Sequence, residues 1–164
     1  MERDVRRPRS AAQRRAEEAV RASQEKVSAL LLDTHIWLWY AEGIAERLRP
    51  ASVKKLDDAR RSDGLCVSAI SVWEIGMHNV KGRIQLSMPL RDWIERSLGA
   101  PGIRFVPLDA AAAAESTLLP GDPRGDSADR FLMATARVEE LVLATRDRQI
   151  LDYGRQGYLR TLQL

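Results

Sequence analysis

The sequence contains few of the residues that form cross-links and transition-metal sites. Among its 164 residues are one cysteine, Cys66, and two histidines, His35 and His78. A single cysteine excludes a disulfide framework within the chain and a cysteine-based zinc site. Three soft ligands in all are too few for most transition-metal cages. A metal ion that functions in this protein is therefore expected to be a hard cation held by oxygen.

Long apolar runs are also absent from the sequence. A membrane-spanning helix needs about 20 consecutive apolar residues, and no segment approaches that length. The arginine-rich stretch at residues 6–10 is not followed by the hydrophobic region that a secretory or twin-arginine signal requires. We therefore expect a cytoplasmic protein with no membrane partner.

Positive charge is concentrated near the start of the sequence. Residues 1–27 contain eight Lys and Arg against five Asp and Glu, which accounts for the whole formal net charge of +3. Residues 28–164 contain 18 residues of each sign. Segment 11–27 has helical spacing, but its apolar positions are mostly small residues that are too weakly apolar to fold alone. We interpret 1–27 as a basic N-terminal arm, either helical or disordered, and 28–164 as one domain.

Short apolar runs alternate with helical segments through residues 28–164. The predicted strands are 29–32, 65–68, 103–106 and 141–144. The predicted helices are 36–41, 52–61, 71–80, 89–98, 109–119 and 126–140. Short apolar strands separated by helices are typical of a parallel sheet that is buried on both faces. The expected fold is α/β, with three α/β/α layers around a central, mostly parallel sheet.

Acidic residues stand where ligands bind in such a fold, beyond the carboxyl ends of the strands. These acids are Asp33, Glu74, Asp126, Asp129 and Asp147. Crowded carboxylates repel one another unless a cation neutralises them, and Mg²⁺ or Mn²⁺ takes oxygen ligands. Such a cation can orient a water molecule and bind phosphate oxygens, which favours phosphoryl chemistry on a nucleic acid or nucleotide. Ser71 and Thr145 are candidate hydrogen-bond partners for the carboxylates or the phosphate.

Each acid also has an alternative, structural interpretation. Asp33 and Asp147 are suited to cap the helices that follow them. Asp126 and Asp129 are three residues apart and are suited to form a capping pair at the start of one helix. Glu74 is harder to explain in this way, because its neighbours in the sequence are apolar and a solvated charge is not expected there.

Histidine, aromatic and basic residues near these acids give weaker signals. His35 is interpreted as a partly buried structural histidine, with a phosphate contact as the alternative, and His78 as a surface residue. The aromatic residues Trp37, Trp39 and Tyr40 are expected to lie mostly in the core or in a dimer surface. Six basic residues form either a path for RNA or a solvated helix face: Arg47, Arg49, Lys54, Lys55, Arg60 and Arg61.

Four ordered motifs carry a resemblance to a known family. They are Leu31-Leu32-Asp33-Thr34-His35 with Trp37-Leu38-Trp39, Val67-Ser68-Ala69-Ile70-Ser71-Val72-Trp73-Glu74-Ile75, Gly125-Asp126-Ser127-Ala128-Asp129-Arg130 with Ala134-Thr135-Ala136, and Leu143-Ala144-Thr145-Arg146-Asp147. With these motifs the chain resembles a PIN domain, specifically a VapC-type toxin ribonuclease of a bacterial toxin–antitoxin pair. The likeness covers residues 28–162 and leaves the arm outside.

The resemblance implies a parallel sheet between helices and RNA cleavage with Mg²⁺ or Mn²⁺. It places the family's four acids at Asp33, Glu74, Asp129 and Asp147, with Asp126 as an extra acid of the toxin branch. We expect Asp33, Glu74 and Asp129 to hold the cation, while Asp126 or Asp147 helps to position it or the attacking water. The resemblance also implies a homodimer and a cognate antitoxin that blocks the site.

Two alternative functions are kept beside this one. A Mg²⁺-dependent phosphatase or phosphotransferase also places an aspartate after its first strand, although such enzymes usually need a second nearby acid. The other alternative is a PIN-like interaction module that has lost its chemistry, against which the presence of all four acids argues.

Overall fold

The computed structural model of the protein describes residues 29–44, 46–62 and 64–164. The predicted N-terminal arm, residues 1–27, lies outside the described residues. Five strands form one sheet: β1 Leu30–Leu32, β2 Leu65–Ser68, β3 Ile103–Val106, β4 Val142–Thr145 and β5 Thr161–Gln163. Their order across the sheet is β3-β2-β1-β4-β5, and all neighbouring pairs are parallel.

Helices connect the strands. In the described part of the chain they are α1 Thr34–Glu42, α2 Pro50–Arg61, α3 Ala69–Val80, α4 Leu90–Leu98, α5 Ala110–Leu118, α6 Ser127–Val138 and α7 Arg148–Arg155. None of these helices is both long enough and apolar enough to cross a bilayer. The element order repeats strand and helix, as the sequence pattern predicts.

The sheet is covered on both faces because side chains alternate along each strand. On β1, Leu31 packs into the apolar cluster that contains Met133 of α6 and Ile150 of α7. Leu30 and Leu32 point the other way, into a second cluster built mainly from α1, α2 and α4. Two cores separated by one parallel sheet confirm the predicted three-layer α/β/α architecture.

Three helices begin two residues earlier than the sequence pattern predicts, at Thr34, Pro50 and Ala69. Asp33 and Ser68 cap α1 and α3 with their side chains, so the helices start directly after these residues. Pro50 occupies the first position of α2, where its nitrogen has no helical hydrogen bond to lose. The apolar periodicity begins only after these first turns, which explains the late predicted starts.

Strand β5 was not predicted. It has three residues, Thr161, Leu162 and Gln163, of which only Leu162 is apolar, and it lies at the edge of the sheet beside β4. A single apolar residue gives no strand periodicity. The strand is stabilised by its pairing with β4, which the local sequence does not indicate. Helix α7 was anticipated only through the interpretation of Asp147 as a helix cap, which the structure confirms.

The central strand marks the point where the direction of strand addition reverses. From β1 the chain adds β2 and then β3 on one side, and it returns to add β4 and β5 on the other. Just past the end of β1, the backbone N–H of Asp33 donates to the carbonyl of Ala144 in β4, at 3.0 Å. In open α/β sheets, such a switch point opens the crevice in which ligands bind.

A pair of buried tryptophans anchors one of the two cores. Trp93 of α4 is fully buried and packs on Trp37 of α1, with ring centroids 4.8 Å apart. Its indole N–H donates to the carboxylate of Glu42 at the end of α1, which also accepts from the Ser87 hydroxyl at 3.0 Å. These contacts join α4 to the helix that carries the first acid of the site.

We predict that Trp93→Ala lowers the free energy of unfolding by about 3–5 kcal/mol, because it leaves a cavity beside Trp37 and removes a donor from Glu42. Trp93→Phe should cost less because it keeps most of the buried ring. The measurement is urea unfolding followed by circular dichroism. Trp73→Ala is the matched control, since Trp73 is 55% exposed and should change stability by about 0.5 kcal/mol or less. Equal losses in Trp93→Ala and Trp73→Ala contradict this role of Trp93.

Candidate active site

The predicted site residues lie around the carboxyl ends of β1, β2 and β4. Asp33 directly follows β1, and Thr145 is the last residue of β4, with Asp147 two positions further on. Ser71 and Glu74 belong to the first two turns of α3, which starts where β2 ends. Asp126 and Asp129 stand at the start of α6, which leads into β4. We call this group of five acids the acid rim.

Asp33 is the most buried member of the acid rim, with 7% of its surface exposed. The Thr145 hydroxyl donates to its Oδ2 atom, and the backbone N–H of His35 donates to Oδ1 at 3.4 Å. Burial raises the pKa of Asp33, the Thr145 hydrogen bond opposes that rise, and the charge of Glu74 adds to it. Thr145 also accepts from the backbone N–H of Asp147 at 2.9 Å, so one hydroxyl connects the first and last acids.

Glu74 is oriented by the Thr34 hydroxyl, which has the Ser71 hydroxyl beside it. The Thr34 hydroxyl donates to Glu74 Oε2 at 2.7 Å and lies 3.1 Å from the Ser71 hydroxyl. Both Thr34 and Ser71 are buried. Ser71 was predicted as a supporting residue, whereas Thr34 was missed. Thr34 could have been identified from the sequence, because it immediately follows Asp33 in the first motif. It is also the first residue of α1, the helix that Asp33 caps.

The two histidines do not lie where the sequence analysis put them. His35 was interpreted as partly buried, but 57% of its side chain is exposed, so this interpretation was wrong. It is the second residue of α1, and its ring points out beside Asp33, with Nδ1 4.0 Å from Oδ1. His78 is 25% exposed rather than on the open surface, because it lies one turn after Glu74 with Nε2 3.5 Å from Oε1.

Besides Asp33, which caps α1, three more of the acids take part in helix caps, as the alternative interpretation proposed. Asp126 Oδ1 accepts from the backbone N–H groups of Ala128 and Asp129, at 2.8 and 3.0 Å. Asp129 Oδ2 accepts in return from the backbone N–H of Asp126, at 3.0 Å. Asp147 Oδ1 caps α7. Capping uses one oxygen of each carboxylate within the described residues, so it orients these side chains and leaves their second oxygens for another ligand.

Asp129 shows directly that the acids influence one another. Its pKa is raised to about 6, chiefly by burial and then by the negative charges of Asp126, Asp33 and Asp147. Gly125 allows this crowding, because a Cβ atom at that position would lie 2.7 Å from Asp129 Oδ2. Its φ of 128° is also one that residues with a side chain rarely adopt. Acids from separate segments therefore share one electrostatic environment.

The chemistry of these donors fits a hard divalent cation. Within the ranges that the structure describes, no three Asp, Glu, His or Cys side chains are already gathered into a closed ligand cage. The carboxylates instead stand apart around the rim, as like charges do. All five offer oxygen, the ligand that Mg²⁺ and Mn²⁺ prefer, and a cation there would offset the acid charges that add to the effect of burial on the pKa of Asp129.

Comparison with known proteins identifies the family. The family model described as "PIN domain" matches residues 30–156, which include the entire acid rim. The chain belongs to the PIN domain family. The resemblance to VapC-type PIN domains, predicted from the motifs, is also confirmed: the chain is 33% identical over 124 residues to Ribonuclease VapC22 of Mycobacterium tuberculosis. This match covers 76% of the chain and 91% of that relative.

Solved structures share the fold of this PIN domain. VapBC2 from Rickettsia felis, bound to a DNA fragment from its promoter, matches with a TM-score of 0.60 at 13% identity, covering 82% of this chain and 98% of the other. DNA-bound VapBC from Salmonella typhimurium matches with a TM-score of 0.58 at 18% identity, covering 83% and 98%. At these levels of sequence identity, the similarity shows a shared fold and nothing further.

The raised pKa of Asp129 predicts how the thermal stability of the metal-free protein, kept in EDTA, depends on pH. The ordinary aspartate value is 3.8, so between there and about 6 the folded PIN domain binds more protons at this residue than the unfolded chain. This extra proton stabilises the folded state, fully below pH 3.8, and the stabilisation is lost as the pH rises through about 6. The thermal midpoint should fall across that range, and Asp129→Asn should flatten the fall because an amide keeps the capping bond without charge. Identical pH profiles of the two proteins contradict the prediction.

Proposed function

We propose that this PIN domain is a Mg²⁺- or Mn²⁺-dependent endoribonuclease that hydrolyses RNA phosphodiester bonds and acts as the toxin of a toxin–antitoxin pair. The observation that carries the proposal is that Asp33, Glu74 and Asp129, from three separate segments, all lie around the switch point of a parallel sheet. The relative that is a VapC ribonuclease supports RNA as the substrate.

The residues of the acid rim have distinct proposed roles. Asp33, Glu74, Asp129 and Asp126 would hold the cation, which when bound supplies positive charge and activates water at neutral pH. Asp147 keeps one carboxylate oxygen outside its capping bonds, and that oxygen is suited to accept a proton from the attacking water. Hydrolysis then forms a bond from the water oxygen to phosphorus as the ester P–O bond breaks. The leaving oxygen takes a proton from solvent water, and Asp147 afterwards returns its proton to solvent.

Hydroxyl groups keep Asp33 and Glu74 in position for this reaction. Thr145 holds Asp33, while Thr34, itself beside Ser71, holds Glu74. Such partners of metal ligands fix the ligand orientation, and their loss typically costs about 10–100-fold in affinity or activity. Ser71 and Thr145 therefore act through the carboxylates rather than on the RNA itself.

The proposal includes partners and a location. We propose a cognate antitoxin that blocks the site, a homodimeric state and a cytoplasmic location, all of which follow from the VapC-type resemblance. The VapBC complexes among the structures of the same fold support a protein partner. A small DNA-binding protein encoded immediately upstream is the expected antitoxin.

We predict that Asp33→Asn abolishes Mg²⁺-dependent RNA cleavage while the fold is retained. Asparagine can still accept from Thr145, but it lacks the charge that a cation requires. The loss should exceed about 100-fold, which is the upper end of the loss when only a partner of a ligand is removed. The measurement is cleavage of RNA by the purified chain with Mg²⁺ or EDTA, beside circular dichroism of both proteins.

Asp122→Asn is the matched control for Asp33→Asn, because Asp122 is an exposed aspartate outside the acid rim. It should cleave RNA like the wild type. A phosphate monoester offered to the same wild-type protein should not be hydrolysed. Cleavage by Asp33→Asn with an unchanged need for metal contradicts the assignment of Asp33, and preference for the monoester contradicts the nuclease proposal.

We also propose that residues 28–164 contain the whole nuclease domain and that the basic arm is separate from it. Removal of residues 1–27 should then leave the rate of Mg²⁺-dependent cleavage within about twofold of the full chain, because no member of the acid rim is removed. Both proteins are assayed on the same RNA. Loss of RNA binding in the shortened chain overturns this division and makes the arm a substrate contact.

A further inference from the structure

A cluster of planar side chains lies beside the acid rim and has no part in the chemistry proposed above. Trp39 stands one turn after His35 on α1, and their ring centroids are 5.8 Å apart. The guanidinium carbons of Arg47 and Arg146 lie 5.8 and 5.7 Å from the centroid of the Trp39 ring. We call these four residues the stacking platform.

Main-chain contacts hold the stacking platform together from three segments. Helix α1 ends just after Trp39, with the backbone N–H of Ile44 donating to the carbonyl of Trp39 at 2.9 Å. Arg146 follows β4 directly and donates from Nη1 to the carbonyl of Arg47 at 2.6 Å. The loop, the helix and the end of β4 therefore present their planar groups on one surface.

Two arginines bring positive charge to the platform. Within the described part of the chain, neither Arg47 nor Arg146 forms an ion pair with a carboxylate. Both side chains are exposed, and Trp39 is only half-buried although it packs partly on the core. The expectation that Trp39 would serve mainly the core or a dimer surface therefore does not account for its two cationic neighbours.

The platform is directly continuous with the acid rim. His35 belongs to it and has Nδ1 4.0 Å from Asp33 Oδ1, while Arg146 immediately precedes Asp147 in the chain. A nucleotide on the platform would thus have its phosphate close to the carboxylates. The cations beside it also offset the negative charge that the rim presents to an approaching polyanion.

We propose that the stacking platform binds unpaired nucleotides of the RNA next to the bond that is cut, an inference that rests on the proposed RNA hydrolysis. Bases stack on tryptophan and histidine rings and on guanidinium planes, while arginine also binds phosphate. Bases in a duplex are already stacked and do not offer their faces, so these four residues would bind unpaired nucleotides more tightly than a duplex. An acidic protein segment would use the arginines but not the Trp39 ring.

The test measures RNA binding separately from cleavage. All variants are made in the full chain carrying Asp129→Asn, with Mg²⁺ present, and binding of a fluorescein-labelled single-stranded oligoribonucleotide is followed by anisotropy. Trp39→Leu should weaken binding roughly tenfold, because stacking on one aromatic ring is lost, while Trp39→Phe should retain most of it. Thermal midpoints show whether Trp39→Leu is folded, and leucine keeps an apolar side chain against the core.

The arginine contribution has a matched control in the same segment. Arg146→Ala should lower the dependence of log Kd on log salt by about 0.7, the value for one phosphate contact on a single strand. Arg148 is also exposed and only two residues away, but it has no contact with Trp39 among the described residues, so Arg148→Ala should leave that slope unchanged.

Three results overturn the proposal: equal binding by Trp39→Leu and Trp39→Phe, equal effects of Arg146→Ala and Arg148→Ala, or a Trp39 effect that is as large on duplex RNA as on the single strand. Failure of the nuclease proposal appears separately, as absence of Mg²⁺-dependent cleavage by the chain with Asp129 intact. Unchanged RNA binding combined with weakened binding of an acidic peptide would assign the platform to a protein partner and also overturn the proposal.

Discussion

Repulsion between carboxylates is the force that the rest of this site is built to withstand. Burial, and then the charges of other acids, raise the pKa values of both Asp33 and Asp129. Each is therefore less stable as an anion here than in water. The backbone nevertheless holds them together, because β1 and β4 are adjacent parallel strands and α6 leads into the second of them. Sheet topology thus concentrates negative charge that local sequence preferences would disperse.

Two kinds of donor hold the acids. Asp33, Asp126 and Asp147 accept from backbone N–H groups at helix starts, where the helix dipole already favours a negative charge. Asp33 and Glu74 also accept from the hydroxyls of Thr145 and Thr34. The structural and functional interpretations of these aspartates are therefore compatible, since the hydrogen bond that caps the start of a helix also directs the second carboxylate oxygen.

Most of the architecture follows from patterns that span a few residues. The four predicted strands are found within one residue of their expected limits, and the positions of acids after them predicted the acid rim. What could not be predicted depends on partners distant in sequence. Strand β5 exists through pairing with β4, Thr34 gains its role from Glu74 forty residues away, and His35 turns outward past the carboxyl end of β1.

Gly125 has a consequence for related chains. A side chain at this position would meet Asp129 within 3 Å, and the backbone there has a positive φ that other residues resist. Asp129 can therefore keep its position only while residue 125, in the loop before α6, has no side chain. In a relative that carries all the acids but a larger residue at this position, Asp129 must have moved. The glycine is thus as much a condition for this arrangement of the acid rim as the acids themselves.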